Sequence, residues 1–331
     1  MIICRTPFRI SFFGGGTDYP IWYEQNGGAV LSTTIDKYCY LTCRYLPPFF
    51  EHKHRVVYSK IESVKEIEHI RHPSVRAILE HMNLKKGLEI HHDGDLPARA
   101  GLGSSSSFTV GLLHALYALQ SVMPSKFQLA KEAIHLEREV LREHVGSQDQ
   151  VAAAYGGFNK ISFRKDGHFE VKPIILPAAR LTELQDHLIL YFTGFSRSAS
   201  KIAKKQIRQT PKRERELSLM HGLVDEAVAV LASKRNIREF GKLLDETWEL
   251  KKSLTDKISN PLVDEIYAAA KEAGAIGGKL LGAGGGGFML FFVKPSQRAR
   301  VKKRLKKLLE VKFKFEHAGS QIIFHRETGV S

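Results

Sequence analysis

The stretch Leu96-Pro97-Ala98-Arg99-Ala100-Gly101-Leu102-Gly103-Ser104-Ser105-Ser106-Ser107 constrains this chain more than any other. Two glycines and four consecutive hydroxyls run into an apolar segment that opens at Phe108. Glycine lets the backbone approach an anion closely. Serine hydroxyls donate to phosphate oxygens or coordinate a hard cation. Val110, Leu113, Leu116 and Tyr117 recur on one side of a helix predicted over Phe108 to Gln120. The N-terminus of such a helix offers backbone N–H groups and the positive end of its dipole to negative charge. The segment reads as a phosphate cradle. A flexible serine-rich linker would have polar flanks, and these are apolar and periodic.

The common nucleotide loops do not fit. A P-loop ends in Gly-Lys-Ser/Thr, and no lysine follows Gly103. Gly278-Lys279 is followed by Leu280. Gly282-Ala283-Gly284-Gly285-Gly286-Gly287 formally satisfies G-x-G-x-x-G, but it leads into the strand-like run Phe288 to Val293, whereas a dinucleotide loop opens a helix. Neither HRD nor DFG occurs, which removes the protein kinases. A third glycine cluster sits in Thr6-Pro7-Phe8-Arg9-Ile10-Ser11-Phe12-Phe13-Gly14-Gly15-Gly16-Thr17-Asp18-Tyr19, with an arginine in a strand and an aspartate beyond the turn. By itself this reads equally well as a hairpin turn with a solvated aspartate.

Taken in order, Pro-x-Arg-Ile with Gly-Thr-Asp-Tyr, then Gly-Leu-Gly-Ser-Ser, then Lys279 to Gly287 resemble the GHMP kinases, the superfamily of galactokinase, homoserine kinase, mevalonate kinase and phosphomevalonate kinase. Each motif is weak alone; their order and spacing across nearly the whole chain make the resemblance specific. Phe-Phe-Gly-Gly-Gly-Thr-Asp-Tyr, Gly146-Ser147-Gln148-Asp149-Gln150 and Gly156-Gly157-Phe158-Asn159 further resemble the bacterial D-glycero-D-manno-heptose 7-phosphate kinases. The resemblance implies an α+β fold of two domains. Residues 1–180 would form an ATP-binding domain like ribosomal protein S5 domain 2, and residues 181–331 a ferredoxin-like domain, with the active site between them.

Composition narrows the alternatives. A chain of 331 residues with 43% hydrophobic and 26% charged residues suits a two-domain globular protein. No apolar run approaches the ~20 residues of a membrane span. Met1 to Pro7 meets charge too early for a signal peptide. The three cysteines, Cys4, Cys39 and Cys43, are sparse and odd in number, which suggests a reducing compartment and a cytoplasmic protein. Cys39 and Cys43 share a strand face with Leu41 and read as core residues. The net charge of +15 suits polyanionic substrates, a basic solvated surface, or nucleic acid. Nucleic-acid binding needs none of Arg9, Ser105 and Asp149 together, so small-molecule substrates are expected, with no nucleic acid and no membrane, in a possible homodimer. Much of the excess lies in Lys294 to Lys314, where Val301, Leu305, Leu308 and Leu309 read as the apolar stripe of a basic helix.

Strands are expected at Ile2–Phe13, Ala29–Tyr45, Leu88–His92, Leu188–Phe192 and Gln321–His325. Helices are expected after Lys126, over Lys212–Ser233 and Ile237–Lys257, and from Asn260 as N-cap with Pro261 at its first position to Gly274.

The resemblance also implies site roles. Asp149 would be the catalytic aspartate that accepts a hydrogen bond, then the proton, from the acceptor hydroxyl, and Arg9 its paired cation. Gly101, Leu102, Gly103, Ser104, Ser105, Ser106 and Ser107, with Gly284 and Gly285, would hold the ATP phosphates. Ser105 and Glu137 would bind Mg²⁺, with Glu139 as the alternative carboxylate. The spacing from Glu137 to Asp149 differs slightly from that of mevalonate kinase. Asp18, with Gly15, Gly16 and Thr17, would meet the sugar. Glycines stand where galactokinase has Glu-His, which suggests room for a bulkier sugar. Arg197 and Ser198 in Thr193-Gly194-Phe195-Ser196-Arg197-Ser198-Ala199-Ser200 could form an anion site for a sugar phosphate, or simply cap a helix. Lys279 is read as a support. The expected activity is transfer of the γ-phosphate of ATP to the anomeric hydroxyl of heptose 7-phosphate. The alternatives are another sugar 1-kinase of the superfamily, acting on L-fucose, galactose or a uronic acid, or a non-catalytic sugar sensor.

Overall fold

The structure, a computed structural model, describes residues 1–98, 100–194 and 199–326. Arg197 and Ser198 therefore lie outside the described residues.

The first strand, Ile2–Phe13, is buried along nearly its whole length. It pairs antiparallel with Gly28–Tyr45, from Ile2 opposite Cys43 to Phe13 opposite Leu31. That second strand is long enough to serve two further partners. Its start pairs with Phe158–Phe163 and its end with Leu88–Gly94. The hairpin of His54–Val57 and Ile61–Val64 extends this sheet beyond Leu88–Gly94, and Phe169–Pro173 extends it beyond Phe158–Phe163. The helix Ser104–Leu119, hereafter the serine helix, packs on the first two strands through Val110, Leu112, Leu113, Ala115 and Leu116, all fully buried. It begins at Ser104, four residues ahead of the predicted start, because Gly103 adopts a left-handed conformation (φ 74°, ψ 23°) and turns the chain into the helix at once.

A second sheet runs in the order Leu309–Val311, Leu188–Gly194, Gly287–Val293, Ala275–Leu280, all antiparallel. Numbered by sequence this is 4-1-3-2, the ferredoxin-like arrangement. The helix Arg238–Leu254 packs on its Ala275–Leu280 edge. Phe240 of that helix meets Phe12 and Phe13 edge-on, with ring centroids 5.5 and 5.0 Å apart, so one aromatic cluster joins the two sheets.

Two expectations change. The proposed cut near residue 180 falls between the two sheets, yet Phe315–Glu316 and Gln321–His325 return to the first sheet, pairing with Ile35 and Thr34 and with Ile2–Arg5. The second unit is thus an insertion before the closing strands of the first, a long-range pairing that no local pattern announces. The basic segment forms only a short helix, Arg298–Arg304, and Leu309 leaves the expected stripe to sit exposed on an edge strand. Strand pairing with Leu188–Gly194 outweighs the helical period there.

Candidate active site

Arg9 lies in the middle of the first strand and is 4% exposed. Its Nε and Nη2 donate to the two carboxylate oxygens of Asp149, each at 2.8 Å, a two-pronged ion pair. Its Nη1 donates to the Gly101 carbonyl at 2.7 Å, and its backbone N–H to the Leu102 carbonyl at 3.1 Å. One residue thus fixes both the aspartate and the loop ahead of the serine helix. Asp149 sits in the first turn of the helix Gln148–Tyr155, with its side chain 26% exposed. A Cβ at Gly103 would stand 3.2 Å from Arg9 and 3.5 Å from Asp149, so the left-handed glycine borders this ion pair directly.

The loop and the Gly282–Gly287 segment meet backbone to backbone. A Cβ at Gly282 would fall 2.5 Å from Gly101 Cα, and one at Gly287 would fall 2.3 Å from the Ala100 carbonyl. Only glycine permits that approach. Gly284 and Gly285 instead lie against the segment before Asn260. The Gly285 N–H donates to Ile258 O at 2.9 Å, and its carbonyl accepts from Asn260 Nδ2 at 3.1 Å. Of the two glycines expected to hold the ATP phosphates, Gly285 thus has its N–H engaged within the protein.

The four serines divide. Ser105 is exposed at the first turn. Ser106 and Ser107 turn inward; Ser107 Oγ donates to Pro7 O at 2.9 Å and anchors the helix to the first strand instead of facing a ligand. Ser106 Oγ donates to Glu137 Oε2 at 2.8 Å. The partner of Glu137 is thus one residue beyond the serine expected. Glu137 lies in a π-helical turn, Leu136–Val140, whose wider winding inserts a residue and turns this carboxylate into the interior. It is fully buried, and Gln150 Nε2 also donates to its Oε2. Burial pushes its carboxyl up to about 7, against the pull of the hydroxyl and amide bonds. Glu137 Oε1 and Gln150 Oε1 are both buried without a hydrogen-bond partner. A buried carboxyl among oxygen atoms, with orphaned acceptors beside it, fits a hard divalent cation. Glu139 is on the surface beside Arg138.

Asp18 is 2% exposed. Its Oδ1 accepts from the Gly16 N–H at 2.9 Å and its Oδ2 from the Gln148 N–H at 3.4 Å, tying the glycine turn to the helix that carries Asp149. Burial, then the Asp149 charge, raises its carboxyl above the usual range. Thr17 is fully buried, its hydroxyl engaged by Gly14 O at 2.8 Å and Ala29 O at 2.9 Å. It holds the turn closed, so the expected substrate contact at Thr17 is corrected. Gly16 does not open a void either, because a Cβ there would meet Gln206 Nε2 at 2.9 Å and Leu217 at 3.2 Å. At Gly15 the nearest such contact is 3.8 Å.

Two buried lysines complete the surroundings. Lys279 Nζ donates to Phe12 O at 2.7 Å, supporting the first strand just before the glycine turn. Lys251 Nζ donates to Gly282 O. Sequence reasoning missed Lys251, although a signal existed. Phe240, Leu244, Trp248, Lys251 and Leu254 share the buried face of their helix, and a lysine in an apolar register asks for a reason. Burial, then the neighbouring Arg9, pulls its ammonium down to about 8.

This constellation stands on a known fold. Residues 68–157 match the GHMP kinases N terminal domain, and residues 227–311 match the GHMP kinases C terminal domain. The chain is 29% identical over 314 residues to the D-glycero-alpha-D-manno-heptose 7-phosphate kinase of Campylobacter jejuni, covering 92% of each. It is 30% identical over 244 residues to the mevalonate kinase of Pyrococcus abyssi, covering 72% of this chain and 68% of that one. A crystal structure of a D-glycero-D-manno-heptose 1-phosphate kinase from Bacteriodes thetaiotaomicron superposes with a TM-score of 0.74 at 24% identity, over 99% of this chain and 100% of that one. The chain belongs to the GHMP kinases and has their fold. It is an ATP-dependent phosphotransferase.

Proposed function

We propose that this kinase transfers the γ-phosphate of ATP to the anomeric hydroxyl of D-glycero-D-manno-heptose 7-phosphate, giving the 1,7-bisphosphate. The observation that carries the reading is the two-pronged Arg9–Asp149 pair beside the left-handed glycine that opens the serine helix. A carboxylate beside a helix N-terminus supports the reading, as an acceptor for a hydroxyl proton next to an anion cradle. Likeness to the Campylobacter jejuni kinase, over nine-tenths of both chains, supports the acceptor.

Phosphoryl transfer passes through a loose transition state, so the protein mainly positions and stabilises charge. Gly101 to Ser105 direct backbone N–H groups and hydroxyls at the nucleotide phosphates. Asp149 accepts the hydrogen bond of the attacking hydroxyl, and Arg9 holds the carboxylate in place. Asp18, with Gly15, borders the sugar. Glu137 would hold Mg²⁺ together with the hydroxyls of Ser105 and Ser106. When bound, the cation neutralises phosphate charge and fixes phosphate geometry.

The test is ATP consumption against free and phosphorylated sugars. Turnover with heptose 7-phosphate, and loss of it in Asp149→Ala, is the expected result. Turnover confined to an unphosphorylated sugar overturns the acceptor assignment.

A further inference from the structure

Arg9 spends three of its five N–H groups inside the protein, and its charge is matched by Asp149. Its Nε and Nη2 are held by Asp149 and its Nη1 by Gly101. Lys279 is 2% exposed and sits behind the glycine turn on Phe12 O. Lys251, like Lys279, has one acceptor among the described residues, but it stands at a different place. It is 5% exposed, and of the three hydrogens on its ammonium one goes to Gly282 O, with no further acceptor among the described residues. A buried ammonium with donors to spare is costly unless a ligand supplies the acceptor. Gly282 lies directly on Gly101, so this ammonium stands at the junction of the two glycine loops, beside the cradle. The charged groups facing it are Arg9, Asp18, Asp149 and Lys279.

We propose that Lys251 is a further catalytic residue, the ammonium that contacts the phosphoryl group as it passes from nucleotide to acceptor. The inference rests on the kinase reading above. In the step, the bond between the γ-phosphorus and the β,γ-bridging oxygen breaks and its electron pair stays on ADP. The new bond forms to the acceptor oxygen, whose proton passes to Asp149. Lys251 neither gives nor takes a proton; it balances charge on the phosphoryl oxygens. The charge of Asp149 is already matched by Arg9, so a second cation is what the site otherwise lacks among the described residues.

The test compares wild type, Lys251→Met and Lys251→Arg. Affinities for ADP and for the imido analogue of ATP are measured by calorimetry with Mg²⁺. Lys251→Met is expected to bind the analogue about tenfold more weakly, with ADP affinity within about twofold, because only the analogue carries a γ-phosphate. Turnover of heptose 7-phosphate should fall about 10²-fold in kcat, with Lys251→Arg recovering much of it. Wild-type kcat/KM should fall as pH rises through about 8, where the ammonium of the free enzyme releases its proton, and the arginine variant should hold its value. Equal losses of ADP and analogue affinity would mean that Lys251 only holds the glycine loop. An unchanged analogue-to-ADP ratio would equally overturn the proposal. The nucleotide measurements need no acceptor, so failure of every sugar to react would sink the substrate reading while still deciding the role of Lys251.

Discussion

Asp149 and Glu137 both border the first turn of the serine helix, yet the protein treats the two carboxylates in opposite ways. Asp149 starts an ordinary α-helix, keeps a quarter of its side chain in solvent, and receives a full counter-charge from Arg9 through two hydrogen bonds. Glu137 sits on a π-turn in complete burial beside the neutral hydroxyls of Ser106 and Thr109 and the amide of Gln150, with the Glu143 charge nearby. One carboxylate is fixed by a cation the fold provides. The other has been desolvated and has no cation paired with it among the described residues. Such a carboxylate is a binding site in waiting, because a divalent ion relieves the cost of its burial. In the proposed function, a hydroxyl-activating group and a metal-binding group thus come from the same functional chemistry, separated by what surrounds it.

The largest way to break this contrast is Asp149→Asn. The amide keeps the shape, loses the proton acceptor, and leaves the Arg9 charge buried without its counterpart. We expect kcat to fall about 10³-fold and the urea unfolding midpoint to drop. A variant with wild-type turnover would show that Asp149 is a structural partner of Arg9 and nothing more.

Glu137→Gln should cost about 10²-fold in kcat at saturating Mg²⁺, and its stability should move the other way. Without metal, native Glu137 holds its proton up to about 7, whereas the unfolded chain releases it near 4.5. The native state therefore binds more protons across that window, and wild-type stability declines as pH rises from about 4.5 to about 7. Glu137→Gln removes the titration, so at pH 8 in a chelator it should be more stable than wild type, by a few kcal/mol on the order of 1.4 kcal/mol per pH unit. Denaturant melts of both proteins across pH check the sign. A variant less stable than wild type at pH 8 would mean that the buried carboxylate is already compensated.

The smallest effect sharpens the comparison. Ser106→Ala removes one of the two donors to Glu137 Oε2, which should cost about 1 kcal/mol above pH 7 and steepen the pH dependence. The same change should leave the stability profile below pH 4.5 almost untouched, because a protonated carboxyl needs that donor less.

Much of the site was legible because its parts are local. Arg9 in a strand, the Gly-Leu-Gly-Ser turn and Asp149 at the head of an alanine-rich helix each carry their own signature, and their order suggested that they meet. Lys251 was hidden because its neighbours come from a different sheet; only the register of its own helix hinted at it. The exchange of Ser105 for Ser106 as the partner of Glu137 was also hidden. It depends on where the helix begins, which Gly103 sets, and on a π-turn that a period of 3.6 does not reveal. Thr17 misled for a related reason. A threonine beside a glycine turn looks like a ligand until the fold shows its hydroxyl closing that turn. In the fold, strands with clear alternation were legible and the return of the chain to the first sheet was not, since pairing partners so far apart leave no local trace.

That return has a consequence for how the molecule is made. The outer edge of the strand that carries Arg9 is covered by Gln321–His325, and the side chains of Arg5 and Gln321 that bond across it are 316 residues apart in sequence. On a ribosome, every residue of the candidate site has emerged well before the strand that covers this edge. A chain stopped short of residue 320 would hold Arg9, Asp149, Lys251 and both glycine loops and still expose a row of unpaired backbone groups, a template for joining another chain. The strand Gln321–His325, which touches no substrate in the proposed chemistry, closes an edge that would otherwise invite another chain.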